Sequence, residues 1–150
     1  MTTRYQKRWT AGIAIFSFFL TSCSKDISIP NPELEKLFGS WNWIQSSGGI
    51  GGQTITPATV GYSQTVEYNN NGIYKIYKDG IQKDTKKFSL TSGTSIYNPG
   101  PAYLIKYKDI DHSDNNYQYS IQSIRFGGED SLFLSDECYD CFIHIYTRHK

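Results

Sequence analysis

Residues 63–80 read SQTVEYNNNGIYKIYKDG, and this stretch decides the fold. Apolar and polar side chains alternate along it with a period of two, the spacing of a β-strand with one buried face. Val66 and Tyr68 share a face with Glu67 between them, and Tyr74 and Ile76 repeat the pattern around Lys75. Asn70-Asn71-Gly72 separates the two runs and Asp79-Gly80 ends the second. These residue types tolerate the backbone of tight hairpin turns. The stretch therefore predicts two antiparallel strands, 63–69 and 73–78.

The same period runs outward in both directions. It predicts six further strands at 40–46, 83–90, 102–108, 117–124, 131–135 and 142–148. Tyr97-Asn98-Pro99-Gly100-Pro101 reads as a break in the middle, and Gly127-Gly128-Glu129-Asp130 as a tight turn. Trp41, Trp43, Val66, Tyr68, Tyr74, Ile76, Phe88, Leu90, Tyr103, Ile105, Tyr119, Ile121, Leu132 and Leu134 form the expected inward face. Glu67, Lys75, Lys106 and Gln118 fall on the outer one. Parity slips between Ile121 and Ile124, which predicts a bulge or a bend. Only residues 31–39 read as a helix: Asn31 caps it, Pro32 opens it, Leu34, Leu37 and Phe38 share a face, and Gly39 stops it. Evenly spaced strands without crossover helices make an antiparallel sheet. The expectation is an all-β, eight-stranded antiparallel up-and-down barrel with one short N-terminal helix, with a sandwich as the competing architecture.

The first 22 residues stand apart. Arg4, Lys7 and Arg8 precede the apolar run Ala11–Leu20, which at ten residues is too short to span a bilayer. The pattern is that of a secretory signal peptide. Leu20-Thr21-Ser22-Cys23 resembles the lipobox of bacterial lipoproteins. The resemblance implies cleavage before Cys23 and acylation of its thiol and new amine. Several acyl chains anchor a protein stably where one does not. The expected organisation is a signal peptide over 1–22, a tether over 23–30 and a barrel domain over 31–150. Ser24 after the Cys leans towards the outer membrane in that family. The membrane is therefore the expected partner and the cell envelope the expected location, with the periplasmic or surface face left open.

Composition agrees and excludes other classes. The 150-residue chain is 15% aromatic and 19% charged, with a net charge of +1, which argues against disorder and against a strongly basic nucleic-acid binder. Removing residues 1–22 takes three of the 15 basic side chains and none of the 14 acidic ones, so capture of nucleic acid becomes less favourable still.

A short helix, Gly39-Ser40-Trp41 on the first strand, a long first loop, an eight-strand meander and Arg148 on the last strand together resemble the lipocalin pattern. Leu37 to Trp41, Thr56-Pro57, Gly72-Ile73-Tyr74 and the tail from Asp130 to Arg148 resemble bacterial lipoproteins with a lipocalin-like domain. The resemblance implies that Trp41 closes one end of the barrel with Arg148 packed across it. It also implies that the first long loop covers the other end.

Few constellations carry chemistry. Gly48-Gly49-Ile50-Gly51-Gly52 lacks the Lys and the following helix of a phosphate loop and reads as a structureless lid or a mobile loop. Cys138 and Cys141 allow a disulfide closing the last loop, two free thiols, a redox pair, or half of a zinc site, for which His144 and His149 are near in sequence but on opposite faces by alternation. The disulfide is the expectation. Asp109, Asp111 and Asp114 fail the calcium-loop spacing and read as a polar turn. His144 alternates with Phe142 and Tyr146 and points inward, but no Ser or Cys is placed beside it by the pattern. No catalytic residue, metal site or cofactor is expected, and the chain reads as a non-enzyme. Two functions remain. In one, the anchored barrel binds a small apolar or amphipathic ligand with Trp43, Tyr74, Tyr103 and Tyr119, gated by the Gly48–Gly52 loop. In the other, the barrel is filled and acts as a structural or interaction protein of the envelope, and exposed Tyr62, Tyr97 and Tyr139 would support that reading.

Overall fold

The structure is a computed structural model that describes residues 27–109 and 120–150. Nine strands form one sheet: β1 (Gly39–Gly48), β2 (Gln53–Ile55), β3 (Gln64–Tyr68), β4 (Ile73–Lys78), β5 (Ile81–Ser95), β6 (Asn98–Asp109), β7 (Ser120–Phe126), β8 (Ser131–Asp136) and β9 (Phe142–Arg148). From β3 to β9 each strand pairs antiparallel with the next. β1 pairs with both β3 and β9, which closes an eight-stranded barrel. β2 is a short addition, folded back on Ser46 to Gly48. The turn chemistry fits: Asp79 (φ 48°) and Gly80 (φ 75°) both take the positive φ that a two-residue hairpin matching the strand twist requires.

Alternation fills the axis. Trp41, Val66, Tyr68, Tyr74, Phe88, Leu90, Ile105, Leu132, Leu134 and Tyr146 are buried there. Their rings meet in tilted and edge-on pairs: Tyr68 with Tyr74 at 4.7 Å, Tyr68 with Phe88 at 5.3 Å and Tyr74 with Tyr107 at 5.0 Å between centroids. Such pairs add about 0.5–1.5 kcal/mol each beyond the area they bury.

Three expectations are corrected. Ile121 faces outward, because β7 keeps an unbroken register and Gln122, Ile124 and Phe126 take the inward slots opposite Asp136, Leu134 and Leu132. The parity slip in the sequence marks an inward polar residue, Gln122, instead of a bulge. The register shifts lie elsewhere among the described strands: at Ile44 in β1, at Lys83 opposite β4, and at Pro99-Gly100 in β6 opposite Thr94 and Ser95. The break read over 97–101 narrows to a turn at Ile96-Tyr97 and a register shift at Pro99-Gly100; β5 and β6 pair on both sides of that shift, out to Ser95 opposite Asn98, whereas β6 leaves β7 at Tyr103 opposite Ile124. Pro99 falls within that shift, and beyond Tyr103 this end of β6 has β5 as its one described partner, an edge position that tolerates proline. This arm folds back over the outer face of the barrel, where Ser95 Oγ lies 3.4 Å from Ser123 Oγ.

The N-terminal helix is a 3-10 helix, Pro32–Leu37, and Gly39 begins β1 at φ 115° instead of ending the helix. Asn31 Oδ1 caps it by accepting from Glu33 N at 2.8 Å. Leu34 and Leu37 plug the adjoining barrel end, and Trp41 Nε1 donates to Leu37 O at 2.8 Å. The Arg148 guanidinium sits 3.9 Å above the Trp41 ring. It donates to Phe38 O at 2.9 Å and to Lys36 O at 2.7 Å, satisfying carbonyls that a helix end leaves open. Ile27 and Ile29 pack against this same end, with Ile27 N donating to Asn70 O at 2.9 Å.

Candidate functional site

The bulge at Ile44 shifts the parity of β1, so Ser46 turns inward directly opposite His144 of β9. An ordered chain of hydrogen bonds results. The Trp43 indole N–H can only donate, and it reaches Ser46 Oγ at 2.9 Å. The Asp136 carboxylate can only accept, so His144 Nε2–H donates to its Oδ2 at 3.3 Å, and in the neutral imidazole Nδ1 then accepts from Ser46 at 2.6 Å. From the other side Tyr68 donates to Tyr107 at 2.6 Å and Tyr107 to Gln122 Oε1 at 2.9 Å. Gln122 Nε2 donates to Asp136 Oδ1 at 2.8 Å. The network fixes both the imidazole tautomer and the amide orientation. Every donor points towards one carboxylate.

The electrostatics follow from this convergence. Burial works to raise the Asp136 carboxyl, but the hydrogen bonds from His144 and Gln122 outweigh it and hold the group below its ordinary value. Burial pushes Tyr68, Tyr74, Tyr107 and Tyr146 up, the first three well above the usual tyrosine value. Among the described residues no buried side-chain nitrogen or oxygen lacks a partner.

Ser46, His144 and Asp136 have the makings of a nucleophile, base and orienter. Trp43 already occupies the Ser46 oxygen, however, and neither cavity described below borders Ser46. The set clasps β1, β8 and β9 together.

The glycine-rich loop is built, not structureless. A Cβ on Gly48 (φ 150°) would lie 2.1 Å from Cys141 O, so only glycine fits beside the last loop. After β2, a single helical turn, α1 (Pro57–Val60), is closed by a reciprocal Thr56–Thr59 capping box and by Gly61 at φ 75°. Tyr62 then stacks on Trp43 at 6.4 Å, with Lys78 Nζ 4.2 Å above the Tyr62 ring. The loop thus covers the barrel end opposite the 3-10 helix.

Two of the cavities that open on the described surface are bordered by none of Trp43, Ser46, Tyr68, Tyr74 and Tyr107. One, of about 330 Å³, is bordered by Ile29, Glu35, Phe38 and Asn70 at the plugged end. The larger, of about 610 Å³, lies beneath the β5–β6 arm against β7 and β8. The arm is pinned there: Ser95 Oγ donates to Glu137 Oε1 at 2.7 Å, Ile96 N to Glu137 Oε2 at 2.7 Å, and Tyr97 OH to Cys138 O at 2.6 Å. Cys138 is joined to Cys141 by a disulfide.

The expected ligand residues do not share a cavity. Trp43 and Tyr74 are buried on the axis and Tyr119 lies outside the described residues. Tyr103 borders the outer cavity, with its hydroxyl accepting from Asn31. Tyr62 is taken up by Trp43, whereas Tyr97 and Tyr139 stand half-exposed and exposed near the disulfide loop. Cys23, Asp111 and Asp114 lie outside the described residues. His149 bonds Asn42 at 2.9 Å, away from Cys138 and Cys141, and no group of three metal-ligating side chains occurs among the described residues. No described helix is long and apolar enough to cross a membrane. Sequence reasoning missed Ser46, Gln122 and Asp136 as inward residues. The one available signal was the parity slip after Ile121.

The register defines the class: an all-β, closed, up-and-down barrel of eight antiparallel strands. Comparison of the chain with protein-family models, with curated proteins and with solved structures finds no match.

Proposed function

We propose that this chain is a bacterial lipoprotein, acylated on Cys23 and held at the outer membrane, whose filled lipocalin-like barrel is a rigid, non-enzymatic interaction module. The observation that carries this reading is the convergent hydrogen-bond chain from Trp43 and Tyr68 to Asp136. A carrier would need the axis open, and an apolar ligand there would have to displace rings and hydroxyls whose partners are all inside the barrel. The signal pattern and Leu20-Thr21-Ser22-Cys23 support the anchor. Ile27 is held to the plugged end, and four residue steps from Cys23 reach at most about 14 Å. An anchored barrel would therefore turn its plugged end to the membrane and its disulfide loop outward.

The test has two arms. Cells fed labelled palmitate should label the wild-type chain and not Cys23→Ser, and the variant should leave the membrane fraction; labelling of both would remove the anchor. The purified full-length protein in detergent should show no saturable binding of N-phenylnaphthylamine. Saturable binding abolished by Trp43→Ala would restore the carrier reading.

A further inference from the structure

We propose that the cavity beneath the β5–β6 arm is a binding site for a neutral oligosaccharide. The inference rests on the reading that this barrel binds with its exterior, and it names the ligand class.

The cavity, about 610 Å³, is of the size that takes a small ligand. Its roof is fixed before any ligand arrives. Two hydrogen bonds to Glu137 and one to Cys138 O tie Ser95, Ile96 and Tyr97 to the disulfide-closed loop. A preformed site saves the ligand the cost of ordering the arm.

Its lining combines two kinds of surface. Tyr97 from the arm, and Tyr103 and Phe126 from inward slots at the barrel rim, border it with rings beside the aliphatic Ile124 and Ile143, while Ser135, Asn98 and Arg125 bring donors. Among the described residues the Ser135 hydroxyl has no hydrogen-bond partner. Asn98 uses only its carbonyl oxygen, on Gly100 N at 3.1 Å, and Arg125 lies over the Phe133 ring without a carboxylate partner. Glu33, which can only accept, borders the same space.

This set discriminates between ligand classes. A hydrocarbon would desolvate Ser135, Asn98 and Arg125 and offer them no hydrogen bond. An anion would meet Glu33, and a cation would meet Arg125. A sugar ring presents hydroxyls that both donate and accept, and a C–H face that lies flat on a tyrosine. This class matches both the ring-bearing and the donor-bearing walls.

Isothermal titration calorimetry of the full-length protein in detergent with maltohexaose and with chitohexaose tests the proposal. At least one of the two should bind, and Ser135→Ala and Arg125→Gln should each weaken it about tenfold. Ile81→Ala, on an exposed turn of β5 away from the cavity, should leave it unchanged. Tyr97→Ala should abolish binding, but it also frees the arm, so Ser135→Ala and Arg125→Gln decide, with circular dichroism confirming their fold. Failure of both sugars to bind at millimolar concentration would overturn the proposal. So would binding indifferent to both deciding variants, or displacement of the sugar by dodecanoate. The palmitate labelling of Cys23 is read separately, so loss of the anchor and loss of this site are told apart.

Discussion

The barrel interior and the cavity under the arm are built from the same residue types and treat them in opposite ways. Inside, Trp43, Ser46, His144, Gln122 and the tyrosines spend their donors on one another until the chain ends at Asp136. Under the arm, Ser135 and Arg125 face the cavity without comparable partners. A closed network rigidifies a protein and leaves nothing for a ligand. An open set of donors costs little while water reaches it and is available for recognition. The contrast puts the satisfied network on the axis and, among the described residues, the unpartnered donors of Ser135 and Arg125 on the outer wall.

Alkali should break the contrast most violently. Tyr68, Tyr74, Tyr107 and Tyr146 are all raised by burial in the fold, whereas the same groups in the unfolded chain ionise near about pH 10. Their contribution to stability is therefore fully present below about pH 10 and is lost as pH rises towards the folded values. Four withheld protons set an upper slope of about 5 kcal/mol per pH unit. Tyrosinate absorbance and far-ultraviolet dichroism should change together in one cooperative step. Ionisation of all four without loss of strand signal would show that the axis is open to water.

Asp136→Ala should come next. Removing the carboxylate orphans His144 Nε2–H and the Gln122 amide at once, at a cost of about 3–5 kcal/mol. The urea midpoint should fall accordingly, with the slope unchanged. Acid should act in the same direction: the Asp136 carboxyl lies below its ordinary value, so its stabilisation holds above about pH 4 and fades as pH falls through the folded value. A loss under 1 kcal/mol in Asp136→Ala would mean that water replaces the carboxylate and that the network is not closed.

The same contrast explains what the sequence disclosed. Strands were legible because Val66, Tyr68 and Tyr74 are apolar and lie inward, and period-two patterning registers such residues. Trp41 and Arg148, named by a resemblance, meet at 3.9 Å. The clasp was hidden because Ser46 and Gln122 are polar residues in inward slots, and a one-residue bulge at Ile44 puts Ser46 there. Bulges leave no local signature in the composition. The arm was hidden for a different reason: Pro99 and Pro101 signal the end of a strand that has two partners, and the 98–102 end of β6 pairs with β5 alone, resuming after a register shift.

The smallest effect sharpens the contrast furthest. Ser135 faces outward on β8 between the inward Leu134 and Asp136, and its hydroxyl supports no hydrogen bond among the described residues. Ser135→Ala should therefore move the urea midpoint by no more than about 0.5 kcal/mol of stability, the range of an uninvolved surface site. The neighbouring Asp136→Ala, one position along the same strand but on the other face, should cost several times that. Adjacent residues with such unequal effects are expected only if the wall separates a satisfied interior from an unsatisfied exterior. A loss of 1–2 kcal/mol in Ser135→Ala, the size of a deleted hydrogen bond, would place a structural partner on that hydroxyl and remove the distinction between the two faces at this point.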